Sequence, residues 1–406
     1  MRTSFLVPLI FASVASAADW PAWRGLRGDG ISDEADVPTR WSKTENVAWT
    51  APIPGKGHSS PIVFGDRVFV TTCLEEEQRH VLVCLDRLTG RQLWEQSTPA
   101  RLQEKIHRRN SHASSTPATD GKLVWVSFLD DTAMTLVAYD FDSGKEVWRV
   151  IPGKMLSKHG YCSSVIPFQK TIVINSDQDG DGYIVALDGA SGKERWRTPR
   201  PNNTRSYCAP IIIEVKGKKQ LVLSGSLSVA AYAPESGKPI WIVDGPTEQF
   251  VSSPVYVGGV VFMTYGFPKR GICGIDPTGE GNVTATHMVF NLERMSRGGY
   301  VPSPVVHGER AFVVNDEGIA TCSNPRTGDE IWLERLGRSH NASPVTAGGN
   351  VYFIDDLGLC RVVRAGDKYE VVSQNDLADE VRASPAIARG QIFIRGSKQL
   401  YCIGKK

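Results

Sequence analysis

A single pattern recurs along this chain and restricts what it can fold into: a small residue, an acid two positions later, a Ser-Gly or Thr-Gly pair, and a Trp four positions after the Gly. It reads Cys84-Leu85-Asp86 through Thr89-Gly90 to Trp94, Ala138-Tyr139-Asp140 through Ser143-Gly144 to Trp148, and Ala186-Leu187-Asp188 through Ser191-Gly192 to Trp196. Degraded copies run from Ala231 through Ser236-Gly237 to Trp241 and from Cys322 through Thr327-Gly328 to Trp332. Self-similarity at a fixed period marks a repeat architecture, in which each unit buries its apolar faces only against its neighbours. Trp49, Trp94, Trp148, Trp196 and Trp241 are separated by 45, 54, 48 and 45 residues, a period that fits propeller blades. A helical solenoid would show apolar residues three and four apart, and the chain does not read that way.

A second element precedes each unit, a small residue and Pro leading into apolar residues: Ser60-Pro61, Thr116-Pro117, Ala209-Pro210, Ser253-Pro254, Ser303-Pro304, Ser343-Pro344 and Ser384-Pro385, with Ser164-Val165 as a start that lacks its Pro. That makes eight starts. Between the two elements lie alternating β-formers such as Arg67-Val68-Phe69-Val70, bounded by Gly, Asp and Asn, so each unit gives about four short strands. The last unit, from Arg382 to Gly404, ends before any Gly-x-x-x-Trp strand, while Asn46-Val47-Ala48-Trp49-Thr50 stands alone before the first unit. Pairing the two ties the chain ends together and removes an exposed sheet edge. The expected fold is all-β: an eight-bladed β-propeller over residues 46–406, its ring closed by an N-terminal strand in the last blade, with a Trp-rich lead-in over 18–45.

The Asp-x-x-Thr-Gly-x-x-x-Trp unit resembles the repeat of the pyrroloquinoline-quinone (PQQ) propellers. On it the chain is similar, from about Trp41 to its end, to the quinoprotein alcohol dehydrogenases and to the outer-membrane assembly lipoprotein of the BAM complex. The lead-in Trp20-Pro21-Ala22-Trp23-Arg24-Gly25 resembles the start of exported planctomycete propellers. The resemblance implies that the blade Trp residues dock between neighbouring blades. For the dehydrogenases it also implies adjacent cysteines forming a ring disulfide, calcium ligands and a catalytic Asp. No two cysteines are adjacent here and no motif supplies the calcium ligands, so no cofactor is expected, and PQQ belongs only to the alternative given below. Neither a Gly-x-Ser-x-Gly, a metalloprotease nor a phosphate-loop motif is present.

The first residues read as a signal peptide: Arg2, a short apolar run from Phe5 to Val14, and the small-x-small site Ala15-Ser16-Ala17, with cleavage after Ala17. The alternative is a buried N-terminal strand. No later apolar run approaches the ~18 residues of a membrane helix. A monomer, periplasmic or secreted and without a membrane span, is expected. A formal net charge of +2 excludes a general nucleic-acid binder.

Eight cysteines in an exported chain raise the question of disulfides. Cys84, Cys322, Cys360 and Cys402 fall at the repeat slot held elsewhere by Ala138, Ala186 and Ala231, which wants a small buried residue. Cys162 and Cys208 each follow a Tyr on adjacent units, and a bridge between them stays open. Asp177, Asp179 and Asp181, with Asp188, have the spacing of a calcium loop. The loop lies between strands, however, so the expectation is a plain turn and no metal.

The loops that enter each first strand open on one face of the ring, the usual binding surface of such a scaffold. They carry His107, Arg108, Arg109 and Tyr300 together with the candidates His58, His112, His159, Tyr161, Arg205, Tyr207, Arg297, His340 and Arg382. Convergent Arg and His donors favour an anionic or carboxylate-bearing ligand, with imidazoles that titrate between about pH 5 and 8. The bland alternative is a solvated loop face. The functional expectation is an exported, non-catalytic binding or scaffold propeller whose partner, a cell-envelope protein or an anionic small molecule or glycan, docks at the central channel. An exported enzyme using the same funnel, a PQQ-dependent oxidoreductase or a hydrolase, is the alternative.

Overall fold

The computed structural model of the chain describes residues 18–405. The signal-peptide reading therefore lies outside the described residues. Eight sheets form, seven of four strands and one of five, and each is one blade. In chain order the blades span residues 62–99, 118–154, 166–199, 211–244, 255–293, 305–335, 345–376 and 386–403, the last completed by Val47–Pro52. Each small-Pro pair directly precedes the first strand of its blade, for example Ser303-Pro304 before Val305–His307. The only helix among the described residues is the single turn Thr284–His287, and none is long and apolar enough to cross a membrane.

The small-Pro starts do more than punctuate. The Ser60 N–H donates to Thr116 Oγ1 (3.0 Å) and the Thr116 N–H to Ser164 Oγ (3.1 Å). Ser253, Ser303 and Ser343 donate likewise to the hydroxyls of Ser303, Ser343 and Ser384, each at 2.9 Å. A belt of hydroxyls thus links neighbouring blades around the channel and satisfies backbone donors that no sheet ladder reaches. It is interrupted where Ala209 replaces the Ser and again between Ser384 and Ser60, whose Oγ has no partner among the described residues.

The repeat itself is a turn followed by a docking strand. Asp86 Oδ1 accepts from the Thr89 N–H (2.9 Å) and hydroxyl (2.7 Å), and Gly90 closes the turn at φ +72°, where a side chain would be strained. Asp140 and Asp188 hold Ser143 and Ser191 in the same way. Four residues on, the Trp leaves its own blade and lies over the Gly of the next. A Cβ on Gly90 would sit 2.6 Å from Trp49, one on Gly144 2.7 Å from Trp94, and one on Gly192 2.8 Å from Trp148. Gly at these turns is therefore required twice, by backbone conformation and by the ring above it.

Because each blade is covered on both faces, its inner strands are buried continuously rather than alternately: all six inner positions of Arg67–Leu74 and of Leu123–Asp130 are buried. The core is accordingly divided among the blade interfaces, with Phe69 and Val137 in one cluster and Val173 and Leu221 in another. Cys84, Cys322, Cys360 and Cys402 are buried in these interfaces, and all eight cysteines are free thiols, Cys162 and Cys208 included.

Ring closure follows the expected register. Val47–Pro52 pairs antiparallel with Gln399–Ile403, setting Trp49 opposite Cys402, and the Trp49 indole donates to Arg87 O at 2.7 Å. Blade 5 departs from the pattern. Its repeat is interrupted by Gly281–Asn282, which adds a parallel fifth strand to blade 4, and by the helical turn, so Phe290 rather than Trp occupies the docking slot.

Candidate functional site

The channel is closed at one end by the lead-in. Trp20 exchanges two backbone hydrogen bonds of 2.8 Å with Val63, Thr119 N–H donates to Pro21 O, and Ser32 N–H donates to Thr346 O, so the segment crosses the ring from blade 1 to blade 7. Arg24, 1 % exposed, spends its guanidinium on the carbonyls of Pro304 (2.5 Å), Asp29 (2.8 Å) and Pro344 (3.4 Å). Its burial lowers its pKa to about 10. Trp23, donating to Ser253 Oγ (3.3 Å), forms the floor of what remains. The channel is therefore a blind funnel of about 520 Å³ that opens on the loop face.

A strap partly roofs it. The connection from blade 1 to blade 2, residues 100–117, is held internally by Glu104 and His112 (2.7 Å) and tied to blade 3 by Asn110, which donates to His159 O (2.8 Å). Arg109 then reaches the buried Asp316 on the hairpin of blade 6. In a ring of eight, blades 2 and 6 stand opposite, so this ion pair spans the mouth.

Five arginines (108, 109, 205, 270 and 382) and three histidines (58, 107 and 159) line the funnel, and no carboxylate among the described residues does. The countercharges stand behind the wall, on hairpins between second and third strands: Asp179 pairs with Arg205 (2.5 Å), Glu317 with Arg270 (2.6 Å), Asp356 with Arg382 (4.0 Å) and Asp316 with Arg109. Gln249 locks part of this wall. Its amide is satisfied in the orientation in which Oε1 accepts from Arg205 Nε and Nη2, both 2.6 Å, and Nε2 donates to Tyr300 Oη. Arg205 is thus held through Nε, Nη1 and Nη2, which fixes its positive charge in the funnel wall.

Of the nine candidates, His58, His159, Arg205, Tyr207 and Arg382 line the funnel. The other four are placed elsewhere. His112 turns inward on Glu104, within the strap. Tyr161 is 5 % exposed and donates to Ser127 Oγ (3.0 Å) in the interface of blades 2 and 3. Arg297 bonds Gly328 O (3.2 Å) and Glu330 (2.8 Å) on blade 6. His340, 1 % exposed, is packed beneath the loops with Nδ1 donating to Arg338 O (2.8 Å). Each lies just before a blade start in sequence, but the chain turns its side chain away from the funnel.

The calcium-loop acids separate: Asp177 is fully buried against Arg200 (2.8 Å), Asp179 holds Arg205, Asp181 is exposed, and Asp188 is committed to its turn. Among the described residues no cluster of His, Cys and acids has metal-binding geometry. Arg270 was not expected because it lies on a hairpin between second and third strands, outside the entering loops; Gln249 lies in the loop entering blade 5 but carries no charge to mark it. The hairpins between second and third strands open on the same face, and their Asp-Gly and Pro-Lys-Arg runs were the available signal.

Burial holds the imidazoles below their ordinary value. Burial, then the neighbouring Arg395 and Arg382, push His58 down to about 3, and burial also lowers His107, His159 and His340. Neutral histidines therefore line a wall whose charge is carried by arginine. For His58 this corrects the expectation of a histidine titrating between about pH 5 and 8. Cys162 is the one thiol on the wall, pushed by burial up to about 12, so it keeps its proton at neutral pH.

A ring of eight blades built on this turn-and-Trp unit defines a β-propeller of the PQQ-like type. A family model described as outer membrane protein assembly factor BamB matches residues 33–209 and again 180–406, and the chain belongs to that family. BamB from Moraxella catarrhalis superposes with a TM-score of 0.62 at 12% identity, covering 88% of this chain and 99% of that one. The quinohemoprotein alcohol dehydrogenase from Comamonas testosteroni superposes with a TM-score of 0.68 at 13% identity, covering 96% and 81%. A polyvinylalcohol dehydrogenase from a Pseudomonas species is 27% identical over 198 residues, 46% of this chain and 28% of that protein, so less than a third of that relative is spanned.

These likenesses raise the question of a bound quinone. The funnel supplies guanidinium donors for carboxylates, but no carboxylate oxygen from a described lining residue for a calcium ion. Its one thiol is flanked by Tyr161 and Ser163. The donor set does not fit a calcium-held quinone against a ring disulfide.

Proposed function

We propose that the chain is an exported binding propeller whose blind funnel takes a carboxylate-bearing group, either a small anion or an acidic segment of a cell-envelope protein, without catalysis. One observation carries the reading: five arginines and three neutral histidines face a single concavity from which described carboxylates are excluded. A concave, partly desolvated site with convergent guanidiniums stabilises carboxylates by charge-assisted, bidentate hydrogen bonds. The family membership supports a scaffold role. The dehydrogenase relative favours the alternative, a funnel that houses redox chemistry, and stoichiometric uptake of PQQ with dye-linked alcohol oxidation would establish it.

The test uses Arg205→Ala/Arg382→Ala. Both side chains are part-exposed loop residues, so the variant folds. In a calorimetric titration with a pentaglutamate peptide, the parent binds and the double variant loses about ten- to a hundredfold in affinity. The same variant fails to capture the partner that the parent draws from its cell envelope. Equal binding by both proteins would place the functional surface elsewhere.

A further inference from the structure

A second concavity, of about 570 Å³, opens on blade 7 between residues 336–338, the hairpin 355–359 and residues 376–380. It shares no lining residue with the funnel. Two oppositely charged side chains on its wall each carry one buried polar atom without a partner among the described residues. Asp355 is 1 % exposed; its Oδ1 accepts from the N–H groups of Leu357 and Leu359, both at 3.0 Å, while Oδ2 accepts nothing. Arg361 Nη1 is buried and donates to nothing, and the two side chains do not pair with each other. A buried polar atom without a partner is costly, and here one on a carboxylate and one on a guanidinium stand on the wall of the same opening.

The surroundings repeat the arrangement. Arg338 lies on one rim, with Asp376 and the exposed Glu380 on the other. Asp379 is already committed, accepting from Ser397 Oγ (2.7 Å) and Tyr401 Oη (3.1 Å). Leu357, 43% exposed, and Leu359 supply apolar wall between the charges.

We infer that this concavity is a binding site for an amino-acid zwitterion with an apolar side chain, free or as a short peptide. Its ammonium pairs with the Asp355 carboxylate, its carboxylate with the Arg361 guanidinium, and its side chain lies against Leu357 and Leu359. A single-signed ligand would answer only one of the two side chains. A molecule carrying both charges answers both, and this is the chemistry that separates the site from the wholly cationic funnel.

The test is calorimetric, on the full chain, with L-leucine, dileucine and trileucine as the zwitterions and isoamylamine and 4-methylpentanoate as single-charge analogues. One of the three zwitterions binds, and the preferred length tells a free amino acid from a peptide. Each analogue binds about tenfold or more weakly, the worth of one charge-assisted hydrogen bond. Asp355→Asn keeps the acceptor for Leu357 and Leu359, and Arg361→Gln touches no hydrogen bond of the fold, so each loses about tenfold in affinity with an unchanged melting temperature. The Arg205→Ala/Arg382→Ala protein binds the zwitterion as the parent does. A single-charge analogue as tight as its zwitterion, or no zwitterion bound at about 10 mM, overturns the assignment. So does loss of binding in the Arg205→Ala/Arg382→Ala protein, which would move the ligand to the funnel.

Discussion

His80 carries the clearest pH consequence of any single residue. It is 1 % exposed, stacked on Phe128 with ring centroids 4.4 Å apart, and neither ring nitrogen has a partner. Burial and the neighbouring His112 depress its pKa from 6.5 to about 4, against a smaller opposing pull from Asp130. Between those two values the unfolded chain binds the proton that the folded chain refuses. Stability from this group is therefore complete above 6.5 and is lost as the pH falls toward 4. His80→Leu removes that dependence together with two unsatisfied nitrogens. Its melting temperature at pH 7 should equal or exceed the parent's, and calorimetric scans from pH 7 to 4 should show a shallower decline. Parallel declines in the two proteins would mean that His80 does not resist protonation. Residue type was legible in the sequence and side-chain direction was not. His58 and His112 look alike as loop histidines, yet one faces the funnel and the other turns onto Glu104, because strap residues 100–117 fold on themselves before reaching the blade.

At the scale of the element, the unit of construction is the turn-borne Gly with the preceding blade's aromatic over it. Gly144 needs its φ of +71° and also the space that Trp94 fills, since a Cβ there would lie 2.7 Å from the indole. Gly65 has φ +56° with nothing within 4 Å of an added Cβ. Gly65→Ala should therefore cost only the backbone penalty of about 1 kcal/mol, whereas Gly144→Ala adds displacement of Trp94 and should cost about 2–4 kcal/mol. Urea unfolding of the two variants measures the difference. Equal costs would show that the indole yields freely. The sequence displayed this element wherever the spacing from Gly to Trp stayed at four. It hid the copy in blade 5, where the chain detours through Gly281–Asn282 and the helical turn before Phe290 reaches the slot. The strap was hidden for a different reason. An irregular connection has no periodicity, and Arg109 finds its partner 207 residues away.

For the whole molecule, two features joined at the N-terminus do different work. Val47–Pro52 closes the ring, and its register and Trp49 were legible because blade 8 visibly lacked a strand. The lead-in before it closes the channel, which was not legible: Arg24 contacts Pro344 O across 320 residues, and nothing local in Trp20-Pro21-Ala22-Trp23 signals a plug. A graded truncation separates the two. Removing residues 18–45 takes away the plug but leaves the closing strand. It uncovers the channel ends of several first strands, so it should lower the melting temperature yet leave a monomeric eight-bladed ring. Removing residues 18–52 also exposes the edge of Gln399–Ile403 and the apolar face that Trp49 covers, inviting pairing with a second chain. That protein should melt lowest and associate as its concentration rises. Trp49→Ala in the full chain should cost about 3–5 kcal/mol, the range for deleting a large buried aromatic. Calorimetry and sedimentation on the three proteins decide it. If the longer truncation melts with the shorter one and stays monomeric, the last blade is stable on three strands and the N-terminal strand does not hold the ring shut.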